Sequence, residues 1–228
     1  MLNATQGFTY NKFEKPNDWP KIDKTFDYKI ENGKLLSGNE HIYLSGPVNY
    51  TVVGNPTIVD GVASNFSTSN YLTLSDNFRP GNNTWEIGCK FTTSSSVSDN
   101  VLYSFQAGET NATRYGLMLR TTGQNKFEAA FTLNGTSWFN NTIPDFYVSG
   151  NATYWTKEYW DGTAFKLDIS TDGITYQNIV NVQSTTPIYN SFTSCKFGVW
   201  TDGAYKWAWN GSIDLNNTYI QVNNYLWF

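Results

Sequence analysis

Breaking a glycosidic bond with carboxyl groups needs two of them, one on each side of the bond. The nearest acidic pair along this chain is Glu158-Tyr-Trp-Asp161, and Asp161 belongs to an Asp-Gly turn signal. Glu86 falls on the outward side of an alternating strand, with no second acid at a matching spacing. His41 is the single histidine and has no obvious proton-transfer partner. There is no Cys-His metal pattern, no glycine-rich phosphate loop and no Gly-x-Ser-x-Gly elbow. These absences predict a protein that is not an enzyme and has no catalytic residues.

Binding chemistry is better represented. A sugar site stacks the apolar face of a ring on an aromatic side chain and satisfies hydroxyls with Asn, Asp or Arg. Trp138, Trp155, Tyr159 and Arg120 are the candidate ligand-binding residues, because they fall on loops or opposite the apolar rows. Tyr205, Trp207 and Trp209 share one face of a strand, and a stripe of that kind is read as core. Asp76-Asn77 and Asp99-Asn100 supply hard oxygen donors in loops, so calcium is the one ion to consider. Asp and Asn are also ordinary turn formers, and no metal ligand set or other cofactor is predicted.

The elements that position these residues are strands. From Tyr154 to Tyr176 two turn signals, Asp161-Gly162 and Asp172-Gly173, separate runs of alternating polarity. Asp-Gly suits tight hairpins because both residues tolerate positive φ. Phe165, Leu167 and Ile169 point one way, and Lys166, Asp168 and Ser170 the other, so three strands form a meander. Upstream, Trp85, Ile87, Cys89 and Phe91 make one inward row, and Val101, Tyr103 and Phe105 another. Leu117 and Leu119 then pair against Phe127, Ala129 and Phe131. Short strands every eight to twelve residues, joined by turn chemistry, specify a sandwich or barrel. At the C-terminus Asn223-Asn224 is suited to a last hairpin, and Leu226 to Phe228 are expected to pair in a sheet.

Composition narrows the partners. The formal net charge of −4 gives no electrostatic reason to bind nucleic acid or anionic lipid. No apolar run reaches the length of a membrane span. The first residues lack the basic and apolar regions of a signal peptide, which predicts synthesis in a cytoplasm. Cys89 and Cys195 alternate with inward residues and read as core thiols; whether they are bridged is open. Residues 1–46 stand apart. They hold half of the lysines, interleaved with acids, and Pro16 and Pro20 around Trp19. Two readings stand for this extension: an arm that docks on a partner, or an extra strand or two packed on the main domain.

From about residue 47 to Phe228 the chain resembles a laminin G-like, concanavalin A-like jelly roll of the kind found in tailed-bacteriophage structural proteins and bacterial surface proteins. The resemblance is carried by Pro56-Thr-Ile-Val-Asp-Gly-Val-Ala-Ser-Asn-Phe66, Trp85-Glu-Ile-Gly-Cys-Lys-Phe91, the span Tyr154 to Tyr176, and Gly211-Ser-Ile-Asp-Leu-Asn-Asn-Thr-Tyr-Ile220. It implies an all-β fold, a two-sheet antiparallel jelly-roll sandwich with an N-terminal extension. Some members are glycoside hydrolases with a Glu-x-Asp-x-x-Glu strand, which this chain lacks. The resemblance further implies a virion protein displayed on capsid or tail. Its extension would contact other virion proteins and its jelly roll a host surface glycan. A bacterial carbohydrate-binding or adhesion module is the alternative, and exposed aromatics serving as homo-oligomer contacts a third reading.

Overall fold

The computed structural model describes residues 28–31, 34–37, 39–43, 50–74, 77–203 and 206–223. Every regular element among them is a strand. Two hydrogen-bonded sheets dominate. The seven-stranded sheet has the order β12-β11-β10-β9-β16-β7-β4. Its strands are β4 (Tyr50–Val53), β7 (Tyr71–Leu74), β9 (Val101–Gln106), β10 (Gly116–Thr121), β11 (Phe127–Phe131), β12 (Asn140–Thr142) and β16 (Ser194–Phe197). The larger sheet runs β15-β14-β13-β8-β19-β6-β5. It contains β5 (Thr57–Val59), β6 (Val62–Ser64), β8 (Trp85–Thr92), β13 (Thr153–Trp160), β14 (Ala164–Ser170), β15 (Gln177–Gln183) and β19 (Ser212–Asn223). All pairings are antiparallel, and the chain is an all-β jelly-roll sandwich.

The extension reaches this sandwich. β1 (Tyr28–Glu31) and β2 (Lys34–Ser37) pair with each other, whereas β3 (Asn39–Tyr43) joins the larger sheet as its eighth strand. β3 lies along the end of β19, with His41 opposite Gln221. β6 pairs with the start of β19, and an irregularity between Asp214 and Tyr219 separates the two stretches. Asn223 continues β19; Asn224 and the apolar terminus Leu226 to Phe228 lie outside the described residues, as do Asp76 and Tyr205.

Strict alternation builds the interior. Along β13 the odd positions are part-exposed and the even positions buried, as a period of two demands. Phe165, Leu167 and Ile169 are buried, as are Trp85, Ile87, Cys89 and Phe91. Across the sheets, Phe131 of β11 stacks on Phe165 of β14 with ring centroids 4.0 Å apart. Each such buried ring contributes about 2–3 kcal/mol of transfer free energy. Cys89 and Cys195 are free and buried. Burial pushes both thiols up to about 12.

Several local expectations need correction. Val101 faces outward, because the β9–β10 register shifts between Leu119 and Arg120. Ser170 is buried, its hydroxyl accepting the Gly173 N–H at 2.9 Å and holding the following turn. Of the Asp-Gly pairs, only Asp60-Gly61 has both residues at positive φ (49° and 78°), as a two-residue turn between β5 and β6 requires. Asp161 and Asp172 act through their carboxylates, which accept backbone N–H bonds two and three residues on. Trp207 and Trp209 do not share a face. Trp209 is buried against Phe91 in the main core. Trp207, on β18 (Lys206–Ala208), stacks on Trp200 of β17 (Val199–Thr201).

Candidate functional site

The outward face of the larger sheet collects aromatic and charged side chains in ordered rows. Strand pairing puts Trp155, Lys90 and Asp214 in one row across β13, β8 and β19. Lys157, Gly88 and Tyr219 form the next, and Tyr159, Glu86 and Gln221 the third. Neighbouring strands are about 4.8 Å apart, so each row brings its side chains into contact. The middle row has a glycine at its centre. A Cβ on Gly88 would meet the Tyr219 ring at 2.2 Å, so glycine is what lets that ring lie against the backbone. The Tyr219 hydroxyl is drawn off the middle row by a hydrogen bond to Glu86.

The loop after β14 supplies the far wall. Gly173 has φ near +74°, and a Cβ there would come within 2.9 Å of the Trp155 ring. The Asp172 carboxylate accepts from the backbone N–H groups of Ile174 and Thr175, at 2.8 and 2.7 Å, and from the Ser170 hydroxyl. The N–H bonds of Thr175 and Ile174, then the Ser170 hydroxyl, pull the carboxyl down to about 2. This bonded loop carries Tyr176 back over the sheet, where the Lys157 ammonium lies 4.4 Å from its ring centroid. Around Gly88, the side chains of Trp155, Lys157, Tyr176, Asn217 and Tyr219 thus enclose a depression of about 310 Å³. That is the lower end of the range for small-molecule sites.

A second depression of about 300 Å³ adjoins it, walled by Tyr159, Trp160, Glu86, Asp161 and Gln221. The Tyr159 hydroxyl donates to Asp168 Oδ2 at 3.0 Å. Burial, then this bond, pushes Tyr159 up to about 12, so it stays a neutral donor. Against a burial that works to raise it, Asp161 is held well below the ordinary carboxylate range by Lys166 (2.6 Å), the Thr163 hydroxyl and two backbone N–H groups. Asp161 therefore has no proton to give at neutral pH. Glu158, its neighbour in sequence, points the other way into the core. The acidic pair read from the sequence is split between interior and rim.

The four predicted ligand residues separate into two pairs. Trp155 and Tyr159 stand four residues apart on this face, either side of Lys157, each part-exposed. Arg120 and Trp138 belong to the outward face of the seven-stranded sheet, where the β17–β18 hairpin lies. There Arg120 binds Glu128 through Nε (2.9 Å) and Nη2 (2.6 Å), and its guanidinium lies 5.1 Å from the Trp207 ring centroid. Trp138 meets Tyr115 edge-on at 5.3 Å. Sequence reasoning missed Lys157, Tyr176, Asn217 and Tyr219. Lys157 and Tyr219 were legible as outward positions of alternating runs; Tyr176 lies outside any strand, and Asn217 stands at the register irregularity within β19. Of the calcium candidates, Asp99 lies 3.8 Å from Arg120, and Asn100 is buried and donates to Ser96 O at 3.4 Å. Among the described residues no three His, Cys, Asp or Glu side chains gather as a metal site.

No protein-family model and no curated protein matches the chain. Solved structures do. Domain 4 of AbnA, a GH43 extracellular arabinanase from Geobacillus stearothermophilus, in complex with arabinotriose, is 13% identical with a TM-score of 0.53, covering 84% of this chain and 94% of that one. Arcelin-5, a lectin-like defense protein from Phaseolus vulgaris, is 11% identical with a TM-score of 0.54, covering 82% and 98%. The binding domain of botulinum neurotoxin DC, in complex with rat synaptotagmin II, is 13% identical with a TM-score of 0.51; the match spans 88% of this chain and 48% of the toxin domain. At such identities the likeness is one of fold: the chain has the jelly-roll sandwich of lectin-like and binding domains.

Proposed function

We propose that this protein is a non-catalytic carbohydrate-binding jelly roll whose ligand lies on the outward face of the larger sheet. The observation that carries the reading is the depression over Gly88, where Trp155, Tyr176 and Tyr219 present ring surface beside Lys157 and Asn217. Aromatic faces accept the C–H face of a sugar, and the polar neighbours meet its hydroxyls. The fold supports this reading, since one similar domain was solved with arabinotriose and another is a lectin-like protein. The test is a glycan array followed by calorimetry on the full chain. Trp155→Ala is expected to abolish binding of any glycan retained by the wild type, and Trp138→Ala to leave it unchanged. No retained glycan, or binding that survives in Trp155→Ala, overturns the reading.

The resemblance to tailed-phage structural proteins supports a further placement, with the protein displayed on a virion and its N-terminal extension docked on a neighbouring virion protein. Because β3 belongs to the larger sheet, removal of residues 1–38 separates docking from folding. The truncated chain is expected to bind glycan yet fail to join the particle; retained incorporation would refute the docking role.

A further inference from the structure

Resting on the platform reading above, we propose that the depression over Gly88 is selective for sugars bearing a carboxylate, with Lys157 as the residue that recognises the charge. The two depressions differ in charge. Lys157 is the one charged side chain lining the first, whereas Glu86 and Asp161 line the second. The other two lysines on this face are neutralised within it: Lys90 by Asp214 at 2.7 Å and Lys166 by Asp161 at 2.6 Å. Lys157 has no carboxylate within ion-pair distance among the described residues. Asp168 stands opposite it across the β13–β14 pair, but its carboxylate is turned to the Tyr159 hydroxyl (Oδ2) and the Asn178 amide (Oδ1, 2.7 Å) and makes no ion pair with Lys157. The Lys157 ammonium instead lies over the Tyr176 ring, at the wall of the depression. A ring does not neutralise the charge. A carboxylate on a sugar stacked between Trp155 and Tyr219 would give Lys157 the direct ion pair that the described residues do not.

The cation is a point charge on a flexible stem, so it selects for charge more than for one sugar skeleton. Uronic acids and sialic acids share the chemistry, and the probes distinguish them. Binding of the full chain is measured to trigalacturonate against its methyl ester, and to sialyllactose against lactose, each at low and at physiological salt. In at least one pair the charged member is expected to bind about tenfold more tightly at low salt, the preference shrinking as salt screens it. Lys157→Gln should bring both members to the neutral affinity, and Lys157→Arg should keep the preference. Equal affinity within both pairs, or a preference that survives Lys157→Gln, overturns the selectivity and leaves the platform standing. Failure to bind any probe or any arrayed glycan overturns both.

Discussion

The Tyr103 hydroxyl of β9 donates to the Glu158 carboxyl of β13 across the interior, so one hydrogen bond ties the two sheets together through the core. Tyr103 is fully buried against Phe105 and Phe197, and Glu158 is 4% exposed. Burial pushes the Glu158 carboxyl from its ordinary 4.5 up to about 8, against the Tyr103 bond, which works to lower it. A raised folded value means that the folded chain keeps a proton the unfolded chain releases. The resulting stabilisation is complete below about pH 4.5 and is lost as pH rises to about 8. At about 1.4 kcal/mol for each pH unit between the two values, the loss amounts to a few kcal/mol. Urea melts should show it as a falling midpoint from pH 5 to pH 8, and Glu158→Gln should flatten the fall. An unchanged slope in that variant would sink the assignment. Tyr103→Phe, which leaves the buried acid unpaired, is expected to cost about 1–3 kcal/mol.

Gly88→Ala tests how the depression is built. The added methyl would sit 2.2 Å from the Tyr219 ring, so the ring must swing away and the hydrogen bond to Glu86 must break. The expected outcome is a loss of about 1–3 kcal/mol of stability, as for overpacking elsewhere, together with loss of glycan binding. Thermal melts and calorimetry read the two effects separately. Full binding in this variant would show that the Tyr219 ring is not part of the site.

Asp172→Ala removes the acceptor that holds the loop bearing Tyr176. The chain is expected to stay folded, because Asp172 is at the surface, and to bind glycan more weakly as Tyr176 loses its position. In the wild type the carboxyl is depressed to about 2 from an ordinary 3.8, so its contribution is present above about pH 3.8 and lost as pH falls through about 2. Amide exchange at Ile174 and Thr175 should be slow in the wild type and fast in the variant. Equal protection in both would contradict the loop's dependence on Asp172.

The two thiols give a test of the core. Cys89 receives the Thr218 hydroxyl at 3.5 Å and Cys195 the Phe78 N–H at 3.3 Å, both deep between the sheets. With both thiols pushed up to about 12 by burial, neither offers a thiolate to a reagent. A thiol-reactive dye should label no cysteine in the native chain and both in denaturant. Rapid native labelling of either would place that cysteine outside the core.

How much of this could be read in advance varied by element. Strands β8, β13 and β14 were legible because a half-buried strand writes its orientation into alternate residues, and Ile87, Leu167 and Ile169 obey that rule. The site was half legible. Trp155 and Tyr159 sit on such a strand, so their outward direction followed from the buried row beside them. Arg120 had the same kind of outward position and Trp138 a place in the loop between β11 and β12, yet a different sheet and a covering hairpin took them elsewhere. The split between Trp207 and Trp209 was hidden because β18 ends at Ala208, and beyond a strand end alternation no longer applies.

Alternating polarity and turn residues therefore determined, from the amino-acid order alone, that the chain makes a sandwich or barrel and which side of strands such as β8 and β13 faces the core. Only the tertiary structure decided which wet sides share a surface. Rows such as Lys157, Gly88 and Tyr219 pair residues 69 and 131 positions apart, and that register is set by core packing and loop closure between distant segments, for which no local pattern exists.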